Sequence, residues 1–158
     1  MLLRVSLIFL WSFCSLAELQ AKSLHVLTGK VVRILDGDTF ELLDNQHVIW
    51  RIRLLHIDAP EKKQAFGAAS KQFLADLIFN CQVRVEYSSH DRNGRILGAV
   101  YKESRFVNLV MVEQGYAWHY KRFSSDLRFA NAEQKARKMK IGLWKTFLPT
   151  APWVYRSQ

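Results

Sequence analysis

Turn signals divide the first part of this chain into pieces of strand length, and that spacing narrows the possible folds more than any other feature. Asp36-Gly37, Asp44-Asn45-Gln46 and Asn93-Gly94 separate segments rich in β-branched or alternating apolar residues. Leu24 to Leu35 reads as a strand with a bend at Thr28-Gly29, and Thr39 to Leu43 pairs back on it. His47 to Ile57 reads as a long strand with Val48, Trp50, Ile52 and Leu54 on one face, ended by Pro60, which sets up a helix start. Between Gly67 and Asn80 the apolar positions Ala69, Phe73, Leu74, Leu77 and Ile78 recur at helical spacing. Val83, Val85 and Tyr87 then alternate with Arg84 and Glu86 in a half-buried strand, and Ile96 to Tyr101 is the fifth. Val107 to Gln114 reads as a short helix closed by Gly115. Asp126 to Lys140 is a longer one, with Phe129, Ala132, Ala136 and Met139 facing inward and Gly142 past its end.

Three strands, a helix, two strands and trailing helices fit a small closed barrel better than a sandwich or a doubly wound sheet. The expected fold class is therefore α+β: a five-stranded β-barrel of the oligonucleotide-binding type with about three helices. Its 158 residues are one domain's worth, with 49% hydrophobic residues to fill a core. Residues 1–21 read as an export signal: Arg4 precedes the apolar run Val5 to Ala17, and cleavage follows Ala17 or Ala21. Residues 22–148 form the domain and residues 149–158 a C-terminal tail. An exported product is expected, with a membrane tether by an uncleaved leader as the alternative. Cys14 would leave with the leader, so Cys81 is expected to be a lone thiol packed as a small apolar residue.

The formal charge of +9 points to a polyanionic partner, because clustered Lys and Arg release counterions on meeting phosphates. Against that background a few carboxylates stand out: Asp36 and Asp38 in Asp36-Gly37-Asp38-Thr39, and Asp58 and Glu61 in the run from Arg53 to Glu61. An Asp-Gly turn alone needs no metal. Asp38, Asp58 and Glu61 at the ends of two strands would repel one another unless a cation neutralised them. The donors are all oxygen, which suits calcium or magnesium rather than zinc, and calcium best tolerates Asp38 and Asp58 with a backbone carbonyl and waters. Glu61 is placed to deprotonate an attacking water, although any glutamate at a helix start also gains from the dipole. Arg53 and Arg95 offer planar forks to phosphate oxygens, although either alone is an ordinary surface charge. Arg53 and Asp58 are an odd number of residues apart, so a regular strand would put them on opposite faces. The site therefore requires a bulge or sharp bend between Leu54 and Ile57.

Tyr116, Trp118, Tyr120 and Phe123, interleaved with Lys121 and Arg122, read either as a base-stacking surface or partly as core. Lys62 and Lys63 either steer substrate or solubilise a loop. The five histidines show no paired metal-ligand spacing and read as surface or packing residues.

With these residues in place, the chain resembles the staphylococcal nuclease (thermonuclease) family from about Lys30 to Trp144. The resemblance rests on Asp36-Gly37-Asp38-Thr39, on Arg53-Leu54-Leu55-His56-Ile57-Asp58-Ala59-Pro60-Glu61, on Asp91-Arg92-Asn93-Gly94-Arg95, on Asn108 through Gly115, and on Gly142-Leu143-Trp144. It implies calcium-dependent cleavage of single-stranded DNA and RNA leaving 3′-phosphates, by a protein expected to act as a monomer. It implies calcium at Asp38, Asp58 and the Ala59 carbonyl with Asp36 nearby, Glu61 acting on the water, and Arg53 and Arg95 holding phosphate. Arg92 joins the expected substrate contacts. The pattern departs from the family in a shorter loop after Glu61 and in Asn93, which stands where a tyrosine meets the terminal base. Two rival readings are a non-catalytic barrel that binds nucleic acid and a basic module that meets acidic partners or lipid headgroups.

Overall fold

The computed structural model describes residues 23–158. The segment read as an export signal lies outside the described residues, apart from which the chain runs β1 (His25–Ile34), β2 (Thr39–Asp44), β3 (Ile49–Leu54), β4 (Ile57–Asp58), α1 (Gly67–Ile78), β5 (Gln82–His90), β6 (Ile96–Lys102), β7 (Arg105–Phe106), α2 (Val107–Glu113), β8 (Trp118–His119), α3 (Leu127–Lys138), a 3-10 turn (Gly142–Lys145) and α4 (Pro152–Tyr155).

The main sheet has the order β3-β2-β1-β5-β6-β7, and a parallel pairing of β3 with β6, from Ile52 opposite Ile96 to Leu54 opposite Gly98, closes its five long strands into the expected barrel. Closure removes the open edges that a five-stranded sheet would otherwise present. Alternate residues point inward: Phe40 and Leu42 from β2, Ile52 and Leu54 from β3, Val83 and Val85 from β5, and Ile96 and Val100 from β6 are all buried. They pack against Leu74 and Ile78 of α1, Met111 of α2 and Phe129 of α3.

Several local expectations change. Thr28-Gly29 is no bend, because β1 is continuous there. A Cβ on Gly29 would collide with the Leu42 side chain and the Leu43 carbonyl, so the glycine serves close strand packing. The long third strand is in fact β3, a turn at Leu55-His56, and β4; Val48 precedes β3 and is exposed. No helix starts at Pro60. Turns occupy the stretch up to Phe66, whose φ of 70° precedes α1. Asp126 is not part of α3 but caps it, its side chain accepting the Arg128 N–H at 2.9 Å. Met139 is exposed, and the buried polar residue of α3 is Glu133, held by Arg137 at 3.1 Å and Lys121 at 3.0 Å. Cys81 is only half-buried, its thiol 3.5 Å from the Phe79 carbonyl.

The turn at Leu55-His56 is the bend that the spacing of Arg53 and Asp58 requires. His56 takes φ 71°, a costly conformation for a residue with a Cβ. Its backbone groups are nevertheless matched: Leu55 N–H donates to the Gly98 carbonyl at 2.9 Å, and the His56 carbonyl accepts from Tyr120 N–H at 2.8 Å. The Leu55 carbonyl accepts from Asn108 Nδ2 at 2.9 Å. Asn108 is fully buried, also donates to the Gly98 carbonyl at 2.9 Å, and accepts from Val100 N–H at 2.9 Å. Replacing it with alanine orphans a buried N–H and a carbonyl, and each such loss costs about 1–3 kcal/mol. Asn108→Ala is expected to lower stability by about 2–4 kcal/mol in urea denaturation; a loss under about 1 kcal/mol would mean that the amide does not hold this turn.

Candidate active site

The fork of Arg53 joins two strand ends. Its Nη1 contacts Asp38 Oδ1, at the start of the Asp38-Thr39 entry to β2, and its Nη2 donates to Asp58 Oδ1 in β4 at 2.8 Å. Both carboxylates are buried, Asp38 at 3% and Asp58 at 1% exposure. Asp38 Oδ2 accepts the Ala59 N–H at 2.7 Å, its Oδ1 accepts the Thr39 hydroxyl at 3.0 Å, and its carbonyl accepts the Leu54 N–H at 2.8 Å. Burial alone would raise the Asp38 carboxyl; the Arg53 charge and the Ala59 N–H outweigh it and hold the group below its ordinary value. Arg53 shows the converse balance, with burial opposed by Asp38 and Asp58, and its guanidinium becomes still harder to deprotonate. Gly37 permits this convergence, since a Cβ there would strike Ser70 and Ala59.

Asp36 lies beside the pair, its Oδ1 accepting the Asp38 N–H at 3.0 Å. Burial and the neighbouring Asp38 charge push its carboxyl up to about 7. It shapes the turn that presents Asp38.

On the Asp38 side, Arg95 Nη1 reaches the Thr39 hydroxyl at 3.5 Å, while Asp91 holds Arg95 through the Nε at 2.7 Å. Burial would raise Asp91; the Arg95 hydrogen bonds hold it low. Arg95 also lines a depression of about 320 Å³ with Glu41, Trp50, Arg51 and Asn93.

On the Asp58 side stands a residue that sequence reasoning missed. Arg156, just beyond α4, donates from Nη2 to Asp58 Oδ2 at 2.7 Å and from Nη1 to Asp58 Oδ1 at 3.2 Å and Glu61 Oε1 at 2.6 Å. Hydrogen bonds to Asp58 and Glu61 raise its pKa against the effect of burial. Gln64 fastens the loop that carries Glu61, accepting the Glu61 N–H at 3.0 Å and donating to the Thr150 carbonyl at 2.6 Å. The segment read as a tail is therefore packed: Ala151 and Pro152 are buried, and Trp153 meets Trp118 edge-on. The available signal was Pro152, placed to start a helix.

The structure thus brings Asp38, Arg53, Asp58, Glu61 and Arg95 into one connected set. Among the described residues no three His, Cys, Asp or Glu side chains form a ready-made metal group. Guanidinium groups stand against each of these carboxylates, Arg53 against Asp38 and Asp58 and Arg156 against Asp58 and Glu61. The donor types still fit a hard divalent ion: two buried carboxylates bridged by one guanidinium, followed by the Ala59 backbone.

The expected substrate contacts divide. Lys62, Lys63, Arg92 and Arg122 are exposed. Lys121 is exposed but bound to Glu133. Tyr116 is half-buried and stacks on Phe73 at 4.1 Å, and Trp118 is buried against Trp144 with centroids 4.4 Å apart. Tyr120 is likewise half-buried, its ring parallel to Trp153 at 5.5 Å and edge-on to Phe123 at 4.8 Å. Among the histidines, His56 and His119 flank Phe129, and burial lowers both.

Residues 51–146 match the family model described as "Staphylococcal nuclease homologue". The chain is 44% identical over 131 residues to an Escherichia coli protein named "Uncharacterized endonuclease", an alignment covering 82% of this chain and 85% of that one. It is 42% identical over 139 residues to the "Micrococcal nuclease" of Shigella flexneri, covering 81% and 79%. It is 36% identical over 139 residues to the "Staphylococcal-like nuclease CAN1" of Arabidopsis thaliana, covering 87% of this chain and 42% of that protein. A barrel closed by β3 and β6, an acid and arginine set gathered at its strand ends, and these similarities together establish that the chain belongs to the staphylococcal nuclease family.

Proposed function

We propose that this protein is a calcium-dependent nuclease that hydrolyses phosphodiester bonds of single-stranded DNA and RNA and leaves 3′-phosphates. The observation that carries the reading is the single connected set in which Arg53 bridges Asp38 and Asp58 while Glu61 and Arg95 stand on either side. Calcium would be held by Asp38, Asp58 and the Ala59 carbonyl, where it would supply Lewis-acid polarisation of a phosphoryl oxygen. Glu61 is only partly buried, its side chain 38% exposed, so its carboxylate can meet water and act as the general base. Arg53 has N–H groups beyond those committed to the two carboxylates, and Arg95 is anchored by Asp91. Both are fixed positive charges for the phosphorane, and fixed donors need no reorganisation as its charge develops.

The net charge of +9 supports a polyanionic substrate, and the exposed Lys62, Lys63, Arg92 and Arg122 supply part of it. Tyr120 follows β8, which pairs Trp118 with Asp58, and its ring stacks on Trp153 of α4, so a stacking surface for an unpaired base lies near the carboxylates in the fold. A protein that only bound nucleic acid would have no use for two buried carboxylates and a partly exposed Glu61 beside its phosphate donors. Export remains part of the proposal, resting on residues 1–21; among the described residues no helix is long and apolar enough to cross a membrane.

Heat-denatured DNA incubated with the purified protein is expected to be cut in calcium and spared when a calcium chelator is added. Cleavage that ignores the chelator would overturn the calcium mechanism, and absence of cleavage under all conditions would leave the binding-module reading. Glu61→Gln and Arg53→Ala are each expected to slow turnover at least roughly a hundredfold, the scale of losing a general base or a transition-state donor. Rates within about threefold of the unmodified protein would remove those groups from the mechanism.

A further inference from the structure

The contact between Arg156 and the acidic side of the site goes beyond the arrangement that the proposed chemistry requires. We propose that Arg156 is a positioning residue that holds Asp58 and Glu61 in the ion-free protein and competes with the divalent cation for Asp58. The inference rests on the calcium reading above and deepens it.

Both oxygens of Asp58 are engaged. Oδ1 accepts from Arg53 at 2.8 Å and from Arg156 at 3.2 Å, and Oδ2 accepts from Arg156 at 2.7 Å. Oδ2 keeps a lone-pair site, but a cation bound there would sit beside the Arg156 guanidinium and be repelled by it at short range. One of the two arginines must give way. Arg53 is set in the barrel wall, its side chain 15% exposed and tied to both carboxylates, whereas the Arg156 side chain is 40% exposed and its remaining partner, Glu61, is 38% exposed. Arg156 can exchange Asp58 for water at modest cost, and Arg53 cannot.

The backbone that delivers Arg156 is fixed, which separates this contact from a chance surface pair. Thr150 accepts from Gln64, Ala151 lies in the cluster with Trp118, Leu143 and Trp144, and Trp153 packs between Trp118 and Tyr120. Gln64 also holds the Glu61 N–H, so the loop bearing the proposed base and the segment bearing Arg156 form one unit. Without an ion, Arg156 relieves repulsion between Asp58 and Glu61 and keeps both carboxylates aimed at the same space. With an ion, that neutralising work passes to the metal.

The test is calorimetric titration of calcium into the full-length protein, Arg156→Gln and Arg156→Lys, without nucleic acid, after near-ultraviolet circular dichroism has verified native packing. Removing a charge-assisted competitor is expected to tighten calcium binding about tenfold in Arg156→Gln, with Arg156→Lys falling between it and the unmodified protein, because an ammonium cannot span both Asp58 oxygens as a fork does. Calcium bound equally or more weakly by Arg156→Gln overturns the competition and makes Arg156 a strut alone, while the calcium reading stands. Should Arg156→Gln not fold, Arg156→Lys decides by the same criterion. No calcium binding by the unmodified protein overturns the calcium reading, and this inference with it.

Discussion

The Arg53 fork between Asp38 and Asp58 is the constraint on which the rest of the site depends. A guanidinium is rigid and planar, so holding two carboxylates with it fixes their separation and orientation together. The chain can reach that geometry only if the strand carrying Arg53 reverses its facing before Asp58, and the turn at Leu55-His56 does so. The left-handed His56 is tolerated because Gly98, Asn108 and Tyr120 satisfy the turn's backbone from three different elements. Barrel closure through β3 and β6 supplies Gly98, and α2 supplies Asn108. The fold and the site are thus tied through the same few hydrogen bonds.

Burying two carboxylates beside a basic surface is costly unless each is matched, and the matching here is made almost entirely by arginine and backbone N–H groups. The result is a graded site. Asp38 is held charged by Arg53 and the Ala59 amide, whereas Asp36, two residues earlier and without a guanidinium, is pushed up to about 7 by burial and by Asp38 itself. Neighbouring aspartates of identical chemistry thus sit in different surroundings: Asp38 faces Arg53 and the Ala59 N–H, and Asp36 accepts the Asp38 N–H that closes the turn.

Much of this was legible in the sequence, and the unread parts have physical causes. Turn residues and alternation locate β1, β2, β5 and β6 because each strand has one face in the barrel, so burial is written as period two. The odd spacing of Arg53 and Asp58 reveals a bend, although not that it would split a long strand in two. Side-chain packing between distant segments is what periodicity does not record. Trp118 reads as surface or core alike until Trp144 is found to cover it, and Met139 looks inward until the helix is found to end beside it, at Lys138. Glu133 gives no sign in the sequence that it will be buried and paired with Lys121 and Arg137. The role of Arg156 depends on a contact across 98 positions of sequence, with no local pattern to announce it.

That last contact changes how the barrel should be understood. A closed sheet fixes Asp38, Arg53 and Asp58 by strand geometry, but Glu61 lies on an irregular stretch after Pro60, where backbone hydrogen bonds alone leave a carboxylate free to wander. Gln64 and the segment from Thr150 to Arg156 supply the missing restraint, gripping the loop from outside through one amide side chain and one guanidinium. The restraint is strong in direction and weak in cost, since both ends of the Arg156–Glu61 pair are partly solvated. The base proposed at Glu61 would need both properties: enough order to face its substrate, and enough water contact to change partners when the charge around it changes.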